Sequence, residues 1–140
     1  MRSPDELTAL FRARGLKVTP QRQGIFRVLH GNATHPTAEA VHAAASAEMP
    51  TISLKTVYQT LNDLAAMGEI ALLDLGTGSG RFDPNVEAFH HHLVCEHCGK
   101  VRDVFVDVGR LDVPASQRQG FRVGSAEVVF RGRCAECSAA

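Results

Sequence analysis

Residues 53–83 read SLKTVYQTLNDLAAMGEIALLDLGTGSGRFD, and the order of patterns inside this stretch decides the architecture of the first half of the chain. Ser53 stands where a helix N-cap belongs, Leu54, Val57, Leu61 and Leu64 recur at helical spacing, and Gly68 closes the helix. Glu69 to Leu75 has the texture of a strand, Gly76 to Gly80 is a glycine-rich turn, and Arg81-Phe82-Asp83 is the returning strand. A helix followed by such a hairpin predicts a winged helix. The polar face of the helix has two readings. Lys55, Thr56, Tyr58, Gln59 and Thr60 offer cationic, hydroxyl and amide groups of the kinds that contact phosphates and base edges; the same pattern also suits the solvated face of a helix in a small bundle.

Three shorter helices are expected upstream. The first opens with the capping box Ser3-Pro4-Asp5-Glu6, carries Leu7, Leu10 and Phe11 on one face and stops at Gly15. The second starts at Thr19-Pro20, buries Ile25, Phe26, Val28 and Leu29, and ends before Gly31. After a loop holding Asn32, Thr34, His35 and Pro36, an alanine-rich helix runs from about Thr37 to Ala47.

Composition constrains the partners only weakly. The chain has 140 residues, 44% of them hydrophobic, with 15 basic against 15 acidic side chains. Its length allows one domain or two small ones. Residues 1–27 are the basic exception, where Arg12, Arg14, Lys17, Arg22 and Arg27 are placed to meet a phosphate backbone. No apolar run approaches the ~20 residues of a membrane span. Asp5 and Glu6 interrupt any signal-peptide pattern, so a cytosolic protein is expected.

Past Pro84-Asn85 the texture changes, which sets an expected boundary between residues 1–84 and 85–140. His90 to Cys95, Val101 to Val106 and Phe121 to Arg131 read as strands, with a weak helix from Val108 to about Gln119 that contains Pro114. So short a second half needs a metal, a partner subunit or both to hold its core.

The metal reading rests on two Cys-x-x-Cys knuckles, Cys95/Cys98 and Cys134/Cys137. In a reducing compartment four cysteines are expected as metal ligands, and four thiolates around one ion make a closed, structural zinc site. The histidines next to the first knuckle belong elsewhere. On a strand His90 and His92 point one way, and His91 and Cys95 the other, while Asp103 on the next strand can add a carboxylate to the His90/His92 side. Nitrogen and oxygen donors favour Fe(II), Mn(II), Ni(II), Co(II) or Zn(II). His30, His42 and His97 are expected to be ordinary surface residues, and His91 an outward strand residue or an auxiliary ligand; by spacing alone His35 is a turn residue.

The ordered set Gly15-Leu16-Lys17-Val18-Thr19-Pro20-Gln21-Arg22, His35-Pro36-Thr37-Ala38-Glu39, Ser53-Leu54-Lys55-Thr56-Val57-Tyr58, His90-His91-His92-Leu93-Val94-Cys95 and Cys134-Ala135-Glu136-Cys137 resembles the ferric uptake regulator (Fur) family over nearly the whole chain. The resemblance implies an α+β protein: an N-terminal winged helix-turn-helix DNA-binding domain followed by a small α/β dimerisation domain with a structural zinc. It further implies a homodimeric, metal-dependent transcriptional repressor acting on double-stranded operator DNA, not an enzyme. DNA contacts are expected from Arg14, Lys17, Gln21, Arg22, Ser53, Lys55, Thr56, Tyr58 and Gln59. Within the family the sequence is most similar to the peroxide-responsive, PerR-like branch, with FurA and CatR. That likeness implies a regulatory Fe(II) or Mn(II) on His35, Asp83, His90, His92 and Asp103, bridging the two domains, with His35 and His90 the imidazoles oxidised when peroxide meets iron. Asp103 in place of a glutamate favours peroxide sensing. The chain departs from the pattern in three places: the stretch from Asp83 to His90 is about one residue longer, Gly124, Ser125 and Ala126 stand where many members carry a histidine, and Gln59 replaces a commoner Arg or Asn. A repressor that senses Fe, Mn, Ni or Zn by reversible occupancy is the alternative within the same fold, and a hydrolytic metalloenzyme is the alternative outside it.

Overall fold

Four hydroxyl side chains start the first four helices. Ser3, Thr19, Thr37 and Ser53 each accept the backbone N–H of the residue three further on, which satisfies a donor that the first helical turn leaves free. The helices are α1 (Pro4–Ala13), α2 (Pro20–Leu29), α3 (Ala38–Ser46) and α4 (Leu54–Ala66). At Ser3 the capping box is complete, because Glu6 accepts the Ser3 N–H at 2.8 Å. The computed structural model describes residues 1–139 and divides into a unit of Met1–Ala88 and a second from Phe89 onward.

In the first unit, Leu7 and Phe11 of α1, Ile25, Phe26 and Leu29 of α2, Val41 of α3, and Val57, Leu61 and Leu64 of α4 form one core with Ile52, Ile70 and Phe82. The Phe11 and Phe26 rings meet edge to face, with centroids 4.9 Å apart. Leu54, expected on the buried stripe, is exposed at the first turn of α4. The hairpin of β1 (Ala71–Leu73) and β2 (Arg81–Asp83) is antiparallel, with Leu72 opposite Phe82. Its first strand is shorter than the span Glu69 to Leu75. The Glu69 N–H still bonds to the Leu64 carbonyl at 3.0 Å, so the chain is leaving α4 at that point. Helices plus hairpin make the expected winged helix.

The second unit is a three-stranded sheet in the order β4-β3-β5, built from β3 (His91–Cys95), β4 (Val101–Val104) and β5 (Val129–Gly132), followed by the short α5 (Ala135–Ser138). β3 runs antiparallel to β4 and parallel to β5. Three expectations are corrected here. The helix over 108–119 shrinks to one 3₁₀ turn, Ala115–Gln117, because Pro114 supplies no N–H and the left-handed Gly109 and Gly120 break the backbone on either side. The strand over 121–131 is reduced to its end, since pairing with β3 begins at Val129. β4 stops at Val104, which faces the first residue of β3. Among the described residues no helix is long and apolar enough to cross a membrane.

Candidate metal centres and nucleic-acid surface

The parallel pairing of β3 with β5 sets Cys95 opposite Gly132, and this carries the second knuckle to the first. Cys98 follows in the turn after β3, Cys134 stands just before the first residue of α5, and Cys137 lies within that helix. The four sulfurs lie within 4.8 Å of one another, with Cys98 Sγ 3.7 Å from Cys134 Sγ. A disulfide needs about 2.05 Å, so these are thiols. A tetrahedron with metal–sulfur bonds of about 2.3 Å has edges of about 3.8 Å, and the Cys98–Cys134 separation of 3.7 Å matches such an edge. The N–H groups of Cys134, at 3.3 Å, and of Cys98 hold the Cys95 thiol down to about 5. The neighbouring Cys134 sulfur pushes Cys137 up to about 12. Backbone amides thus favour one thiolate, and a full set of thiolates calls for a cation among them. The donors fit a thiophilic divalent ion.

The first unit carries a second kind of donor group. His35 sits buried in the loop before α3 with φ +51°, a left-handed conformation uncommon for a side chain of this size. Its Nδ1 lies 3.1 Å from the Ala33 carbonyl, which can only accept, so Nδ1 donates there and Nε2 is the nitrogen left to serve as a metal ligand. That Nε2 lies 3.4 Å from Oδ2 of Asp83, the last residue of β2. The loop and the strand are stitched together: Phe82 N–H donates to the Pro36 carbonyl at 3.0 Å, and Arg81 donates to the His35 carbonyl at 3.2 Å. Asp83 Oδ1 accepts the Asn85 N–H at 2.8 Å, which fixes the carboxylate plane.

The second unit carries a third group. His92 faces Asp103 directly in the β3–β4 register, so the two side chains share a face. Asp103 Oδ1 lies 3.2 Å from His90 Nε2 and 3.7 Å from His92 Nε2, and the two imidazoles stand 4.8 Å apart edge to face. Imidazole nitrogens aimed at one carboxylate oxygen form a donor set suited to Fe(II), Mn(II) or another borderline divalent ion.

Of the expected DNA contacts in the first unit, Arg14, Lys17, Ser53, Lys55, Tyr58 and Gln59 are exposed, and Gln21 and Thr56 are half-buried. Two residues differ from the sequence picture. The Arg22 guanidinium is committed inward, 3.0 Å from Asp63 and stacked over the Phe11 ring at 5.3 Å. Thr60 is fully buried and donates to the Thr56 carbonyl at 2.8 Å, so it leaves the polar face.

His91 is the largest surprise among the histidines. It is buried, and its Nδ1 accepts the Val128 N–H at 2.9 Å, so it joins β3 to the entry of β5. His42 is also employed, with Nε2 2.9 Å from the Ile52 carbonyl. Neither bond has a local signal, because each partner comes from another element. His30 and His97 are exposed, as expected.

A winged helix joined to thiolate and imidazole–carboxylate donor groups defines a metal-responsive regulator. The chain belongs to the ferric uptake regulator family, whose sequence pattern matches residues 13–131. It is 36% identical over 134 residues to the peroxide-responsive repressor PerR of Staphylococcus aureus (strain Mu50 / ATCC 700699), covering 95% of this chain and 90% of that protein. Its fold aligns with PerR from Streptococcus pyogenes at a TM-score of 0.54 and 26% identity, over 98% of this chain and 94% of that one. With the ferric uptake regulator Fur of Helicobacter pylori the TM-score is 0.73 at 24% identity, over 96% and 90%, a likeness of fold.

Proposed function

We propose that this member of the family is a homodimeric, metal-dependent DNA-binding repressor that is relieved by peroxide. Residues 1–84 serve as the DNA-binding domain and residues 85–140 as the metal-binding dimerisation domain. Cys95, Cys98, Cys134 and Cys137 hold a structural zinc. His35, Asp83, His90, His92 and Asp103 hold one regulatory Fe(II) or Mn(II), so that occupancy selects the dimer shape that fits an operator. Arg14, Lys17, Gln21, Ser53, Lys55, Thr56, Tyr58 and Gln59 face the DNA, while Arg22 supports them from within.

The observation that carries this reading is the orientation of the imidazoles. His35 is set against Asp83, and His90 and His92 converge on Asp103. The similarity to peroxide-responsive PerR supports the choice of signal. The dimer is supported by the apolar side chains that the second unit leaves exposed, including Leu93, Phe121, Val123 and Phe130.

Iron, when held by these ligands, would supply redox chemistry with peroxide beside them, which Mn(II) would not. His35 or His90 receives one oxygen atom from hydrogen peroxide, water leaves, and the ring is oxidised by two electrons. The altered imidazole is a poorer donor, the ligand set loosens, and the protein releases its operator. The experiment selects a duplex from a random library with the Mn(II)-loaded protein, then measures binding to it by anisotropy. Binding with either metal, abolished by peroxide only with Fe(II), is the expected result; indifference to peroxide with both metals contradicts the proposal.

A further inference from the structure

Tyr58 is 40% exposed on the outer face of α4, yet its hydroxyl is already engaged: it donates to Oε1 of Glu39 at 2.9 Å. Glu39 lies in the first turn of α3, where Thr37 caps the helix and the backbone N–H groups favour a carboxylate. The Glu39 carboxyl is held below its ordinary value first by its own backbone N–H and then by Tyr58, and Glu39 in turn raises the Tyr58 phenol. Both effects leave the proton on Tyr58 and the charge on Glu39.

A phenol that has donated its one proton has only lone pairs left to offer. A phosphate oxygen cannot donate to them, and the Glu39 charge alongside repels phosphate. For the hydroxyl what remains is a donor at a base edge, beside any apolar contact the ring makes with a thymine methyl. In the major groove the donors are the exocyclic amines of adenine and cytosine, whereas thymine O4 and guanine O6 only accept. Excluding water on docking strengthens the Tyr58–Glu39 bond and so enforces the choice.

We infer that Glu39 is a specificity-determining residue of the DNA surface, which makes Tyr58 an acceptor that takes an adenine or cytosine amine. This rests on the DNA-binding reading above. Glu39 itself touches no base and acts through Tyr58.

The test is selection from a random duplex library by the Mn(II)-loaded protein and by Glu39→Ala, Glu39→Gln and Tyr58→Phe variants, with base preference scored at each position of the enriched sites. At one position per half-site, Glu39→Ala and Tyr58→Phe should both lose on the order of tenfold in preference for the amine-bearing base. Glu39→Gln, whose amide oxygen accepts the same proton, should keep it. Unchanged preferences in Glu39→Ala, an even loss of affinity over all positions, or loss in Glu39→Gln as well would each overturn the inference and leave the DNA reading intact. If the parent protein enriches no sequence, the DNA reading fails and the inference falls with it.

Discussion

His35 Nε2 lies 3.4 Å from the Asp83 carboxylate while its Nδ1 rests 3.1 Å from the Ala33 carbonyl, so one end of the ring is anchored and the other faces an anion. The residue holds φ +51° in order to do so. Such backbone strain costs about 1–3 kcal/mol and is retained where the geometry serves a purpose. Replacing either partner should therefore weaken metal binding far more than folding. In calorimetric titration with Mn(II), His35→Ala and Asp83→Asn should lose at least roughly tenfold in affinity, with zinc content unchanged. Parent-like Mn(II) affinity in both variants removes these residues from the regulatory site.

The cysteine cluster leads to the opposite expectation. Its four thiols tie β3 to α5 across the parallel β3–β5 pairing, and the sheet has only three strands to keep it folded. A structural zinc in so small a unit contributes on the order of 10 kcal/mol of binding free energy to folding. Cys98→Ser or Cys134→Ser should abolish zinc retention, and the variants should elute as monomers with a lost β signal. A zinc-free variant that remains a dimer with the parent melting temperature contradicts a structural role.

His91 separates a buried structural histidine from a ligand. His91→Ala leaves the Val128 N–H without its acceptor and opens a cavity, so unfolding by urea should show a loss of roughly 1–3 kcal/mol or more. Mn(II) affinity in the folded state should stay within about twofold, because the neighbouring His90 and His92 point to the other face. A collapse of Mn(II) binding with stability intact would make His91 a ligand after all.

A pH dependence follows from the capping box of α1. The Ser3 N–H and hydroxyl lower the Glu6 carboxyl from its ordinary 4.5. A group depressed in the folded state contributes stability above its unfolded value and loses that contribution as pH falls through the folded one. The difference in melting temperature between the parent and Glu6→Gln should be constant well above pH 4.5 and shrink toward zero below it. A difference that grows on acidification would refute the assignment. Ser53→Ala, which removes the cap of α4, should cost about 1 kcal/mol and weaken DNA binding for lack of a firm first turn.

Much of the first unit is legible in its sequence, because caps and glycines are local: Ser3, Thr19, Thr37 and Ser53 start their helices where the pattern places them. The cysteine knuckles and the shared face of His92 and Asp103 follow equally from spacing and strand parity. What the pattern misses is set by elements distant in sequence. Parity sends His91 outward from β3, yet the entry to β5 covers it; polarity puts Arg22 and Thr60 on the surface, yet Asp63 and the Thr56 carbonyl draw them in. The strand over 121–131 fails for the same reason, since only its last residues have β3 to pair with.

The most direct test of the proposed regulatory site is peptide mass mapping of the zinc-loaded protein, loaded anaerobically with Fe(II) and then exposed to peroxide, beside an Mn(II)-loaded control. One added oxygen on the peptide holding His35, or on that holding His90 to His92, with iron and not with manganese, is the expected result. Unmodified histidines in the iron-loaded protein, at peroxide levels that release it from DNA, would contradict a sensor that works through these ligands.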